Sequence, residues 1–386
     1  MKNVLFVVDD KKMGGVSTLL EDILNNLDTK KSNIDLLILN NDGNMFSELN
    51  TNINVIYGSK FFDPINYSLS SAMKERNLLK VVKKIKLVFY MKTKLIFFFL
   101  KKERKKILNK KYDIEIAFKD GFCGLFVGSG NSKRKVQWLH ADYNKHDDLK
   151  NYRKLFKKMY KSFDKIVAIS KPVGNYFNEI YGCKDKTIAI YNLVNTEKIR
   201  KKSKEFEVSL SNKKINFISV GRFHPMKGYL RLIDVIYKLK NDNLFNNSHL
   251  TLIGDGPEFE KAKNKIKEYK LSKEISLLGA KTNPFPYVKL ADIFILGSVY
   301  EPFGLTVIEA LSAETPVIAT EVATIKEMLP EKYGMIVDNS EEGLYQGIKE
   351  VINNKKIIEE YKNNLVGYEY DTKKIIKQIE KLLEGD

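Results

Sequence analysis

The sequence predicts an α/β protein of two domains, each a parallel sheet carrying helices. Three observations predict it. The chain has 386 residues, more than one hydrophobic core ordinarily organises, and its 43% hydrophobic content is enough for two cores. Short runs rich in β-branched and aromatic residues recur along the chain, with segments of helical periodicity between them. The plainest unit is residues 292–296, a loop, a helix on which Leu305, Ile308 and Ser312 share a face, and residues 315–320. Strand, loop, helix, strand is the connection of a parallel sheet, and such sheets bind ligands beyond the carboxyl ends of their strands.

Taken in order, residues 3–8 read as the first strand, because the apolar run is too short for a signal peptide and ends in Asp9-Asp10. Gly14-Gly15 follows, then a helix over 17–27 with Leu19, Leu20, Ile23, Leu24 and Leu27 in helical register. A double glycine between strand and helix lets backbone amides approach a phosphate or sugar, though on its own it reads more often as a plain turn. Strands are predicted over 34–39, 53–57, 112–118 and 135–140. The last ends at His140, on the ligand edge of the sheet, followed by Asp142 and Tyr143. A strand over 164–169 leads to Ser170-Lys171-Pro172, a helix start with Ser as N-cap and Pro in the first turn. A strand over 186–191 runs into Asn192-Leu193-Val194-Asn195, and the charged stretch 198–206 is the expected linker.

The segment from Lys80 to Lys111 stands apart, with thirteen Lys and Arg against the single acid Glu103. Its apolar residues cluster at 87–90 and 95–100, too short to cross a bilayer. A basic, aromatic-rich helix can instead lie on an anionic membrane surface; the plainer alternative is a helix packed on its own domain with solvated lysines. No nucleic-acid-binding signature accompanies it. The net charge of +18 points to an anionic partner, or only to a lysine-rich surface.

In the second half, a strand over 215–220 precedes Gly221-Arg222-Phe223-His224-Pro225-Met226-Lys227-Gly228 and a helix from Tyr229. Arg222 and Lys227 can reach one anion there, one as a fork of donors and the other as a point charge, a pair suited to a diphosphate. A strand over 249–253 ends in Gly254-Asp255-Gly256-Pro257, and another over 275–278 leads to Gly279-Ala280. Then comes Glu301-Pro302-Phe303-Gly304-Leu305-Thr306-Val307-Ile308-Glu309-Ala310. The N–H groups of Gly304, Leu305 and Thr306 open a helix and can hold an anion. Glu301 and Glu309 flank that place, Glu309 as an acceptor for a diol. From Glu341 the chain reads as helical to its end. Cys123 and Cys183 have no metal-like spacing and read as buried residues in a reducing cytosol. The four histidines form no metal motif. No 18-residue apolar run occurs, so no transmembrane helix is expected.

The E-P-F-G-L-T-V-I-E-A stretch, with G-R-x4-K-G and G-D-G-P before it, resembles the retaining glycosyltransferases of family four, the group 1 transferases with the GT-B fold. The resemblance implies two Rossmann-like domains facing a cleft: 1–200, with the basic segment 80–111, completed by a helix over 370–386, and 207–369. It implies a nucleotide diphosphate sugar, UDP-sugar foremost, as co-substrate, and neither metal nor other cofactor. Arg222 and Lys227 would neutralise the diphosphate, Glu301 would contact the donor sugar and Glu309 the ribose. His140 would face sugar and acceptor, Gly279-Ala280 would meet the base, and Gly14-Gly15 would lie near donor and acceptor. Leu193, Asn195, Glu314, Ala323 and Thr324 depart from the family's usual residues, several of them glycines.

The implied activity is retaining transfer of a hexose-type sugar to a hydroxyl of a saccharide or lipid-linked acceptor, as in bacterial surface polysaccharide synthesis. The expected place is the cytoplasm, either free or, through the basic segment, peripheral on the inner face of the plasma membrane. Two other readings stay open: another GT-B enzyme, such as an inverting transferase or an epimerase, and a non-catalytic basic protein binding membrane or nucleic acid.

Overall fold

The computed structural model describes residues 1–386 except 13, 47, 141–149, 211–213 and 386. It divides into two compact units, 1–193 with 373–386, and 194–372. The first unit holds a seven-stranded parallel sheet: β1 (Lys2–Val8), β2 (Ser32–Ile38), β3 (Asn54–Tyr57), β4 (Ile114–Ala117), β5 (Arg134–Leu139), β6 (Lys165–Ala168) and β7 (Thr187–Ala189), in the order β3-β2-β1-β4-β5-β6-β7. The second holds six parallel strands: β8 (Ile215–Val220), β9 (Ser248–Ile253), β10 (Ile275–Leu277), β11 (Ile293–Leu296), β12 (Val317–Thr320) and β13 (Gly334–Val337), in the order β10-β9-β8-β11-β12-β13. Both are doubly wound, and each reverses direction once, at β1/β4 and at β8/β11. That is where such sheets open a ligand crevice.

The central strands are apolar because helices cover both faces. β1 runs Val4 to Val8 with no exposed surface, and Trp138 of β5 is buried against Phe118, ring centroids 5.0 Å apart. In the second unit Phe217, Leu250, Ile293 and Ile318 of neighbouring strands meet Ile233, Ile236 and Leu344 from helices Tyr229–Asn241 and Glu341–Asn353. Local signals set the helix ends. Ser170 Oγ accepts from Val173 N at 3.3 Å, Pro172 sits in the first turn, and Gly182 at φ +68° closes helix Lys171–Tyr181.

Four differences from the sequence expectation have physical causes. The stretch read as a linker is mostly helix Thr196–Lys202, within the second unit; Asn195 Oδ1 caps it at 2.8 Å and Ile199 is buried. Its charges are the solvated face of a short helix. β13, unmarked in the sequence pattern, has only four residues directly after the 3-10 helix Glu331–Tyr333, too few to show a period. The helical tail is three helices, Glu341–Asn353, Lys356–Leu365 and Thr372–Glu384, interrupted where Gly367 takes φ +76°. The basic segment is two helices, Leu78–Lys92 and Ile96–Ile107, separated at Lys94, whose φ of +62° ends the first.

Helix Thr372–Glu384 clusters with the first unit, burying Ile375, Ile379, Leu382 and Leu383 and placing Glu380 3.6 Å from Lys31.

Candidate active site

In the second unit the loops leaving β8 and β11 are neighbours at the switch point. Backbone carries the first loop. Phe223 N donates to Asp255 O at 2.9 Å, Phe223 O accepts from Glu258 N at 3.0 Å, and the Phe223 ring stacks on Tyr229 at 4.1 Å. Gly254 must be glycine: its φ is +145° and a Cβ there would stand 1.8 Å from Gly221 O. The G-D-G-P turn therefore clamps the Arg222 loop, which leaves Arg222 exposed at the strand exit.

The second loop is tied to the first and to the sheet. Val299 N donates to Met226 O at 2.8 Å, Arg231 grips Gly297 O through Nε and Nη2 at 2.9 and 2.7 Å, and Thr320 Oγ1 donates to Ser298 O at 2.6 Å. Thr324 Oγ1 donates to Glu301 O at 2.7 Å. Thr324 is one of the residues standing where the resembled family has glycine, and its hydroxyl holds the loop that carries Glu301. So supported, Glu301 Oε2 lies 2.5 Å from Lys227 Nζ, with the Glu301 side chain 8% exposed, and accepts a longer bond from Ser298 Oγ.

Glu309 is partly exposed, yet the atoms packed around its carboxyl make charge costly. Burial, with the repulsion of Glu301, raises its pKa to about 7, against the pull of Lys227. One ammonium thus serves two carboxylates. Beside them helix Leu305–Ser312 begins at Gly304, φ +93°, where a Cβ would meet Ile325 at 2.6 Å. The N–H groups of Leu305 and Thr306 open this helix without intrahelical acceptors. Thr306 Oγ1 is buried and makes no hydrogen bond among the described residues. Lys227, the helix start, Thr306 Oγ1 and two acids form one cluster suited to an anion bearing hydroxyls. Gly279 and Ala280 follow edge strand β10; Gly279 O accepts from Gly254 N at 2.9 Å, joining them to the same loop row.

In the first unit the switch point carries charges that the sequence reading passed over. Lys119, after β4, pairs with Asp9 at 2.6 Å and Asp10 at 3.1 Å, after β1. Burial works to lower the Lys119 pKa; the two aspartates overcome it and hold it above the usual value. Asp9-Asp10 was visible as a pair, but its partner lies about a hundred residues on and only the β1/β4 pairing joins them. His140 sits at the end of β5, its backbone N–H donating to Asp120 Oδ2 at 3.2 Å and its ring 4.9 Å from Phe118. Burial, aided by Lys119, lowers its pKa to about 3 although its ring bonds the Phe118 backbone. It is neutral at physiological pH. Its Nε2 is buried and has no partner among the described residues. Gly14 precedes helix Gly15–Asn26 in extended geometry, and a Cβ on it would meet nothing within 4 Å. Asp142 and Tyr143 lie outside the described residues.

Two doubly wound units, one with this anion-and-diol cluster at its switch point, define the class: a GT-B protein. The models for "Glycosyltransferase Family 4" and "Glycosyl transferases group 1" match residues 13–198 and 200–366, and the chain belongs to the group 1 glycosyltransferases. HepE of Anabaena, solved with UDP and glucose, superposes with a TM-score of 0.70 at 16% identity, covering 100% of both chains. Sucrose-phosphate synthase of Thermosynechococcus elongatus superposes at 0.71 and 16% identity, covering 100% of this chain and 98% of that one. In sequence, the chain is 30% identical over 177 residues to the Campylobacter jejuni N-acetylgalactosamine-N,N'-diacetylbacillosaminyl-diphospho-undecaprenol 4-alpha-N-acetylgalactosaminyltransferase, 45% of this chain and 46% of that protein. The chain spans about half the length of the curated relatives it matches.

Proposed function

We propose that the protein transfers a hexose-type sugar from a nucleotide diphosphate sugar, UDP-sugar foremost, to a hydroxyl with retention and without a metal. The observation that carries this is the cluster of Lys227, Glu301, Glu309 and Thr306 at the start of helix Leu305–Ser312. A diphosphate needs concentrated positive character, and a ribose needs an acceptor for two hydroxyls. Lys227, Arg222, the Leu305 and Thr306 amides and the free Thr306 hydroxyl supply the first, and Glu309 the second.

The barrier is departure of the diphosphate from the anomeric carbon, with negative charge growing on the leaving oxygen and positive charge on the sugar. Fixed donors aimed at that oxygen lower the barrier without reorganising. Lys227 has three N–H donors, so it can keep Glu301 in place and still meet a phosphate oxygen. Glu301, held by Lys227 and Ser298, is positioned to accept from donor-sugar hydroxyls. A neutral His140 with Nε2 unpartnered offers a lone pair or one proton to a hydroxyl, never a cation. No carboxylate is assigned as a nucleophile; attack comes from the leaving group's face, and the phosphate takes the acceptor's proton.

The acceptor we infer is a saccharide or lipid-linked saccharide of a bacterial surface polymer, at the cytoplasmic face of the plasma membrane. The diphospho-undecaprenol in the Campylobacter relative's name supports it. Calorimetric titration with UDP, GDP and ADP in EDTA tests the donor site. Tight UDP binding that Glu309→Ala weakens at least tenfold fits the proposal; no nucleotide binding by the wild type would remove it.

A further inference from the structure

Helix Leu78–Lys92 turns part of its apolar surface outward. Leu87 is buried and Tyr90 stacks on Phe99 at 4.0 Å, so one side packs on the unit. Leu78, Val82, Ile85 and Phe89 fall at i, i+4, i+7 and i+11, one stripe of a helix. They are 75%, 53%, 53% and 55% exposed. Phe98, in helix Ile96–Ile107, is 65% exposed. An amphipathic helix whose apolar stripe faces water lacks its partner.

The charges say what kind of partner. Helix Leu78–Lys92 contains five lysines and no acid. Some cations of the segment are structural: Arg104 pairs with Glu115 at 2.6 Å, Lys110 with Asp35 at 3.0 Å, Lys83 with Asp63 at 3.0 Å, and Lys80 with Glu75. Lys86, Lys92, Lys94, Lys101, Lys102 and Lys105 pair with no acid among the described residues. Beside the stripe, Lys60, Lys83 and Lys86 stand round a pocket of about 180 Å³ walled by Phe61, Tyr90 and Phe99, apolar inside and cationic at its rim. A second copy of this chain would bring the same positive charge to the stripe. A partner with an apolar interior and an anionic surface matches both halves at once.

We infer that helices Leu78–Lys92 and Ile96–Ile107 form a docking face for an anionic lipid bilayer. Leu78, Val82, Ile85, Phe89 and Phe98 enter the headgroup layer, the unpaired lysines meet lipid phosphates, and the pocket's cationic rim holds one of them above its apolar floor. The attachment does not depend on the donor site and would persist if that site bound nothing.

Vesicle flotation of the full chain tests it, with phosphatidylglycerol–phosphatidylcholine vesicles against pure phosphatidylcholine. The wild type is expected to float with the anionic vesicles alone, and less as salt rises. V82N/I85N/F89S is expected to lose flotation at least tenfold with its melting temperature unchanged, since these side chains are exposed. K86E/K92E/K94E should lose roughly 100-fold, and K261E/K263E/K267E, on helix Phe259–Glu268, should float as the wild type. Three outcomes would overturn the inference: a wild type that stays in solution, a stripe variant that floats unchanged, or a control that falls as far as K86E/K92E/K94E. A dimer in sedimentation velocity that V82N/I85N/F89S abolishes, without vesicle binding, would overturn it in favour of self-association.

Discussion

Lys227 and Arg222 come from one loop, but only Lys227 is built into the fold. Its ammonium lies 2.5 Å from Glu301, whose side chain is almost fully buried. Lys227→Ala leaves that carboxylate without its cation and is expected to cost about 2 kcal/mol of stability; Arg222→Ala, at an exposed position, should leave the melting temperature in place. Both should lower turnover by ~10²-fold, the scale of losing one oxyanion donor. Thermal melts beside initial rates separate the effects, and near-wild-type turnover in both variants would remove the diphosphate assignment. Glu309 gives a second test. Its pKa is raised from the ordinary 4.5 to about 7. Between those values the folded chain holds a proton that the unfolded chain has released, so Glu309's contribution to stability is full below about pH 4.5 and lost as pH rises through 7. Glu309→Gln should therefore be more stable than the wild type at pH 8, by on the order of 2 kcal/mol allowing for partial exposure, and should melt together with the wild type at pH 4. Its donor turnover should fall at both. Equal melts at pH 8 would contradict the buried-charge account.

The site's elements depend on backbone that few residues can adopt. Gly228 takes φ +69°, and a Cβ there would stand 2.0 Å from Gly297 O, so Gly228→Ala should cost more than ~2 kcal/mol and spread the two loops. Glu314 shows the reverse. It takes φ +64°, where the resembled family has glycine, and its side chain is exposed. Glu314→Gly should stabilise the protein by about 1 kcal/mol, read as a higher melting temperature with unchanged turnover; a lower one would show that Glu314 makes contacts worth more than its strain. At this scale the sequence was informative where the signal is local. Ser170, Pro172 and the apolar runs of β1, β8 and β11 declare themselves within ten residues. Helix Thr196–Lys202 and β13 did not: a seven-residue charged helix looks like a linker, and Gly334–Val337 is too short for periodicity. The motif led to the expectation that Glu301, Glu309, Arg222 and Lys227 share one site; Lys227, Glu301 and Glu309 do lie together, and Arg222 is exposed at the exit of β8. The motif could not show that Lys227 bonds Glu301, that Thr324 supports it, or that Lys119 joins Asp9 and Asp10. Those facts belong to the strand order, not to the spacing.

For the whole molecule, the excess positive charge divides by role. Some of it is internal, as Arg104 on Glu115 shows, some serves the β8 loop, and some, on the helices after Lys80, pairs with no acid among the described residues. Parallel doubly wound sheets explain why one chain can place such different chemistry at its strand exits: each sheet presents loops at its switch point and leaves their sequence free. In the proposed reaction, the β8/β11 switch point of the second unit cleaves a nucleotide diphosphate sugar with retention. The measurement that tests it most directly is proton NMR of the sugar first released from a panel of UDP-, GDP- and ADP-sugars in EDTA, with Glu309→Ala beside the wild type. One UDP-sugar turned over to the anomer of the donor's own configuration, with the variant silent, is the result predicted. Release of the opposite anomer, turnover lost in EDTA, or no turnover of any donor would contradict it.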